Sequence, residues 1–164
     1  MPYSVKQHLD YNVWANSRLV EMVKPLDEEL INRELKSSFP SITKTILHIW
    51  DSHVMWLRRI QEEPLSAKPS ETFKGSKDEL LARFLQSAKE VKAYSESGNR
   101  EFFEQVISYK TMTGEEYEQS VVNMLFHLVN HATYHRGQIV TMLRELGITN
   151  LISTDLIVYL RVKK

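Results

Sequence analysis

The chain has no cysteine among its 164 residues, which excludes disulfides, thiolate metal ligands and a cysteine nucleophile. It has no excess of charge either: 21 basic residues balance 21 acidic ones, and no basic block occurs. Direct binding to a nucleic-acid backbone is therefore not expected. No run approaches the ~20 apolar residues of a membrane-spanning helix. The opening MPYSVKQHLDYNVWAN lacks the charged start and apolar stretch of a secretory signal. These absences lead us to expect a cytoplasmic protein without membrane association, organised as a single domain over residues 1–164. Glycine and proline are scarce, at five each. Pro25, Pro64, Gly98 and Gly147 each close a stretch of helical pattern.

Between those breaks, helical periodicity dominates. Ser4 can cap a helix running to about Lys24, with Leu9, Val13, Leu19, Val20 and Val23 as its apolar positions. Residues Leu26 to Pro40 read as a polar helical turn (Asp27 to Asn32) followed by a loop. This connection is long for an antiparallel hairpin and implies a crossover or a lid over one end of a bundle. Ser41 caps a second helix to about Glu62, with the stripe Ile42, Ile46, Ile49, His53, Trp56 and Ile60. Leu47, Trp50, Val54 and Leu57 make that helix apolar on a second side, as in a central helix or an oligomer contact. A homodimer involving this helix is expected.

Pro64 to Gly75 lacks periodicity and reads as a loop. Ser76 and Glu79 form a capping-box pattern before a third helix, which runs to about Ser97. Glu104 to Lys110 has strand character and can pair across Thr111–Gly114 with Glu115 to Gln119. The longest helix follows from Val121 to Leu146, then a short apolar helix from Leu156 to Val162. The fold class is all-α: a four-helix bundle with a long first crossover and a short C-terminal helix.

The long helix carries the chemistry. His131 and His135 lie one turn apart, within the same stripe as Val121, Leu125, Leu128, Ile139 and Met142. A single inward histidine is usually a satisfied core residue. Two of them double the demand for buried hydrogen-bond partners. Their i,i+4 spacing also lets two ring nitrogens reach one divalent metal ion. His127 continues the series but has rotated away from the stripe. A third ligand would come from another helix, where His8, His48 and His53 are available. The stripe argument favours His53, whereas His48 shares a small, partly polar face with Thr45, Ser52 and Met55 that suits a cavity wall. The residues alone leave His48 and His53 tied. No Glu-x-x-His and no HExxH occurs, so neither a di-iron carboxylate bundle nor that protease pattern is present.

The segments ILHIWDSHVMWLRR and LFHLVNHATYHRGQI resemble the DinB family, within the broader DinB/YfiT-like metalloenzyme superfamily. The likeness runs the length of the chain in helix order, and HxxxHRGQ is its most specific part. It implies a four-helix bundle, commonly dimeric, with a divalent metal (zinc or nickel foremost) held by three histidines. The matching positions are His48, His131 and His135; His53 and His127 then become packing or neighbouring residues. The implied activity is that of a metal-dependent, hydrolase-like enzyme with a position open to water or substrate. The alternatives are a transferase using a low-molecular-weight thiol, and a non-catalytic metal- or ligand-binding stress protein, as the family's damage-inducible name suggests. No general base stands out, so no catalytic residue is assigned. Asp51 reads as a surface carboxylate, Arg136 as a salt bridge or helix contact, and Gly137 as a point of close helix approach. Gln138 reads as a hydrogen-bond partner near the site, and Trp50 and Trp56 as core or dimer contacts.

Overall fold

A computed structural model of the chain describes residues 4–111 and 113–163; Met112, in the expected hairpin turn, lies outside them. The first helix, α1 (Val5–Val23), starts at a capping box: the Ser4 hydroxyl accepts from the Gln7 amide, and the Gln7 side chain accepts from the Ser4 amide. The polar turn is α2 (Glu28–Asn32). Ser41 caps α3 (Ile42–Ile60), and Glu62 ends it by adopting a positive φ of 55° just before Pro64. The segment expected as plain loop contains one helical turn, α4 (Pro69–Thr72), begun by a proline whose missing N–H costs nothing at that position. Ser76 and Glu79 cap α5 (Lys77–Glu96) reciprocally, as expected. After Gly98 the chain makes a further short helix, α6 (Arg100–Glu104), capped by Asn99, where periodicity over five residues gave no signal.

The hairpin forms from β1 (Val106–Lys110) and β2 (Glu116–Ser120), antiparallel, with Tyr109 opposite Tyr117. Then come α7 (Val121–Glu145) and α8 (Leu156–Val162). The hairpin is anchored through one face only: Ile107 enters the core, and Tyr109 meets Trp56 edge-on while lying against Arg59. Among the described residues no helix is long and apolar enough to cross a membrane.

The four long helices make the bundle. Both α1 and α3 pack on α5 and α7, so α1 and α3 occupy opposite corners. This diagonal placement is why the connection between them is long. Two clusters of buried side chains fill the interior, and each draws on all four helices. Leu19, Ile46, Phe84 and Ile139 belong to the first, and Ala15, Trp56, Val91 and Leu125 to the second.

Arg136 is the more deeply buried of two arginines in the interior of the described residues, the other being Arg59. Arg136, 1% exposed, donates from Nη1 to Asn12 Oδ1 (2.7 Å) and Asn16 Oδ1 (2.8 Å), and from Nη2 to Thr133 Oγ1 (2.7 Å). The expected helix contact is therefore made, fastening α7 to α1 through neutral amides instead of a carboxylate. Taking a guanidinium out of water is expensive unless its donors are satisfied, which the two asparagines largely achieve. Gly137 departs from expectation. It is exposed, and a Cβ there would have nothing within 4 Å, so no helix approaches it.

At one end of α1, Asp10 ties three helices. It accepts from Lys92 Nζ on α5 at 2.8 Å, from the Tyr159 hydroxyl on α8 at 2.7 Å, and from Lys163 Nζ at 3.2 Å. Burial opposes the charge on Asp10, but the hydrogen bonds from Lys92, Tyr159 and Lys163 outweigh it and hold the carboxyl at about 2. An acid depressed in the folded state stabilises it above the unfolded pKa of 3.8, and that contribution is lost as pH falls towards 2. Thermal unfolding of Asp10→Asn should therefore show a deficit at neutral pH that shrinks through this acid window. A deficit independent of pH would contradict the assignment. Because nothing packs on Gly137, Gly137→Ala should stabilise the protein to denaturant by about 1 kcal/mol through helix propensity alone.

Candidate metal centre

His48, His131 and His135 come together between α3 and α7. One ring nitrogen from each lies within 4.8 Å of the others. His48 Nε2 and His131 Nε2 approach to 3.0 Å. The ring centroids stand 4.8 Å apart for His48 and His131, 4.6 Å for His48 and His135, and 4.4 Å for His131 and His135. Local sequence explains the presentation. On α7, His131 and His135 share a face by their i,i+4 spacing, and Arg136, about 100° further round, is claimed by α1. With α7 fixed on that side, the two imidazoles are turned towards α3, where His48 lies on the face of Thr45 and Ser52.

Burial keeps the rings neutral. It lowers His48 to about 4, helped by the nearby His135 and Lys68. It lowers His131 to about 3, with His135, His48 and His127 adding to the effect. His135 is lowered by burial as well, while its hydrogen bond to Gln138 works the other way. At neutral pH the lone pairs are therefore free of protons. Three uncharged nitrogen donors from two rigid helices, two of them facing each other, fit a divalent cation of the zinc or nickel type.

The neighbouring residues hold this arrangement in different ways. Gln138 Oε1 lies 2.7 Å from His135 Nδ1, so that ring donates from Nδ1 and leaves Nε2 as its available nitrogen. Gln138 Nε2 in turn reaches Ser38 Oγ at 3.4 Å, joining α7 to the crossover loop. Phe39 of the same loop stacks on His48 with centroids 3.9 Å apart, and meets His135 edge-on at 5.6 Å. His131 Nδ1 is buried without a hydrogen-bond partner among the described residues, so its ring is oriented by packing.

His53 and His127 stay outside the group. His53 is 1% exposed, with Nδ1 2.8 Å from Ser87 Oγ and Nε2 3.4 Å from Asn12 Nδ2. Its stripe position, which argued for it as a ligand, places it in the core with both nitrogens occupied. His127 is exposed and lies edge-on to Trp56. Asp51 is half-buried, and its carboxylate accepts from the Ser70 amide at 2.9 Å, so it is more than a surface charge. Burial raises its pKa, against the hydrogen bonds from Ser70 and the charge of Lys68. Sequence reasoning flagged Gln138 but missed Phe39 and Lys68, which sit in loops where periodicity says nothing. A surface cleft of about 620 Å³ lies along the hairpin between Ser108 and Glu118 and is lined by none of these histidines.

Comparison with known proteins agrees with this geometry at the level of fold and family. Protein DinB of Bacillus subtilis (strain 168) is 28% identical over 94% of this chain and 92% of its own length. A solved structure from Bacillus subtilis, YfiT, superposes with a TM-score of 0.68 over 91% of each chain at 15% identity. That protein is described as a probable metal-dependent hydrolase with an unusual four-helix bundle topology. The profile of the DinB family matches residues 1–163, and the chain belongs to that family.

Proposed function

We propose that the protein is a metal-dependent enzyme of hydrolase type, with a divalent cation held by His48, His131 and His135. The observation that carries the reading is the 3.0 Å approach of two imidazole nitrogens from separate helices, beside a third imidazole. Two neutral Nε2 atoms facing each other can share one proton at most, whereas a cation accepts both lone pairs together with that of His135. Three neutral ligands leave the charge of the ion undiminished, so when bound it would polarise a carbonyl or lower the pKa of water towards 7.

The chain's own residues do the rest. Gln138 fixes the His135 tautomer, as the outer partner of a ligating histidine commonly does. Phe39 excludes water from one face of His48. The description of YfiT supports hydrolysis as the reaction class. We read the whole chain as one domain, supported by core clusters that each use all four helices. We infer a homodimer, supported by the half-buried apolar side chains Leu47, Trp50 and Leu57 on α3.

Elemental analysis of the purified protein tests the ligand set. His48→Ala, His131→Ala and His135→Ala should each lose the metal. His53→Ala should keep it while losing about 1–3 kcal/mol of stability, because Asn12 Nδ2 and the Ser87 hydroxyl each lose their bond to His53 in the core. Metal lost from the His53 variant alone would refute the assignment. Gln138→Leu should weaken metal affinity by about 10–100-fold, read by competition with a chelating dye. Sedimentation equilibrium at micromolar concentration should give the dimer mass, and a monomer mass would refute the assembly.

A further inference from the structure

The face of α3 that carries His48 continues away from it through Asp51, Met55 and Arg58, at helical spacings of three and four. These three residues, with Val54, form one wall of a cleft of about 280 Å³; the other wall is the segment from Leu65 to Glu71. The cleft thus begins one helical turn from His48. The crossover side is covered, since Phe39 stacks on the His48 ring there. The three histidines do not line the cleft itself; its first lining residue along α3 is Asp51, three residues from His48.

Its chemistry is uneven. Val54, Met55, Leu65, Ala67 and Pro69 make the lining mainly apolar, and Leu65 is left 46% exposed at its edge. Charged groups stand round the apolar wall, and most are engaged. Arg58 is held by Glu63 at 3.0 Å and by the Pro64 carbonyl at 3.4 Å, and Asp51 by the Ser70 amide at 2.9 Å. Lys68 has only a loose contact, 3.8 Å to the exposed Glu71. It also lies near enough to His48 for its charge to be felt there. Lys68 thus stands on the cleft wall with a weak ion pair to Glu71, its charge also felt at Asp51 and His48, and it is placed to receive an anion. The volume falls just below the roughly 300–1,000 Å³ of sites for drug-sized ligands.

We propose that this cleft is the substrate pocket of the histidine centre, and that it takes a small carboxylate with a short apolar body. The carboxylate lies against Lys68 and the apolar part against Met55, Val54 and Leu65. The proposal rests on the metal-centre reading given above. The Lys68–Glu71 contact is exchanged for one between Lys68 and the ligand.

Phenylacetate and its uncharged analogue 2-phenylethanol serve as probes, read through the methyl resonance of Met55 in protein labelled with carbon-13 at methionine methyls. Phenylacetate should shift that resonance saturably, with 2-phenylethanol binding about tenfold more weakly. Lys68→Met should abolish the difference between the probes, and Val54→Trp should remove the response to both. In protein loaded with cobalt, phenylacetate protons should relax faster than in zinc-loaded protein.

An unmoved Met55 methyl, equal preference for phenylacetate in Lys68→Met, or no cobalt effect on the bound probe would each overturn the proposal. The two readings fail differently. Wild-type protein that takes up no cobalt refutes the metal centre, and the substrate assignment with it, whatever Met55 does. Cobalt uptake without a Met55 response refutes the pocket alone.

Discussion

The hydrogen bonds around Arg136 set the rotation of α7, and the site depends on that rotation. Leaving a buried guanidinium without partners is costly, and Nη1 of Arg136 finds them in Asn12 and Asn16, which holds α7 to α1. His135 is its sequence neighbour, and the helical turn of about 100° between them directs the imidazole to the other flank. Because α7 lies between α1 and α3, satisfying the charge on one side presents two histidines to the third on the other. Polar burial in the core and presentation of the imidazoles are thus one constraint seen from two sides of a helix.

A second constraint acts from outside the bundle. The crossover loop touches the histidines through Phe39 and meets α7 through Ser38. Gln138 spans both, bonded to His135 and to Ser38. The loop that the diagonal topology requires is therefore also the cover of the site. Its closure and the orientation of His135 are linked through one amide side chain.

Much of this could be read from the residues. The capping signals at Ser4, Ser41 and Ser76 carry local hydrogen-bond chemistry, and each marks a true helix start. The hairpin was legible because five-residue strands flank a polar turn. The short helices α4 and α6 were not, since one turn has too few residues to show a period. The single-helix stripe misdirected attention to His53, because the most central position on an apolar face is where a side chain is most enclosed by core. His48, off that centre, faces His131 and His135 of α7. The resemblance of ILHIWDSHVMWLRR to its family distinguished the two where periodicity did not. Gly137 shows the opposite error: a helical glycine suggested crowding, and the surroundings are open. Phe39 and Lys68 reach their places by tertiary contacts that no local pattern encodes.

The diagonal placement of α1 and α3 has a further effect, on the order in which the chain can fold. These two helices are consecutive long elements, yet each finds its neighbours in α5 and α7. A ribosome releasing the chain from its N-terminus would expose the apolar faces of both until Glu96, the end of α5, has emerged. Even then α7, the element that joins them on the other flank, is still to come. The two consecutive helices α1 and α3 therefore meet through partners that come later in the chain, and closing the bundle requires contacts of long sequence separation, which fold more slowly than local ones.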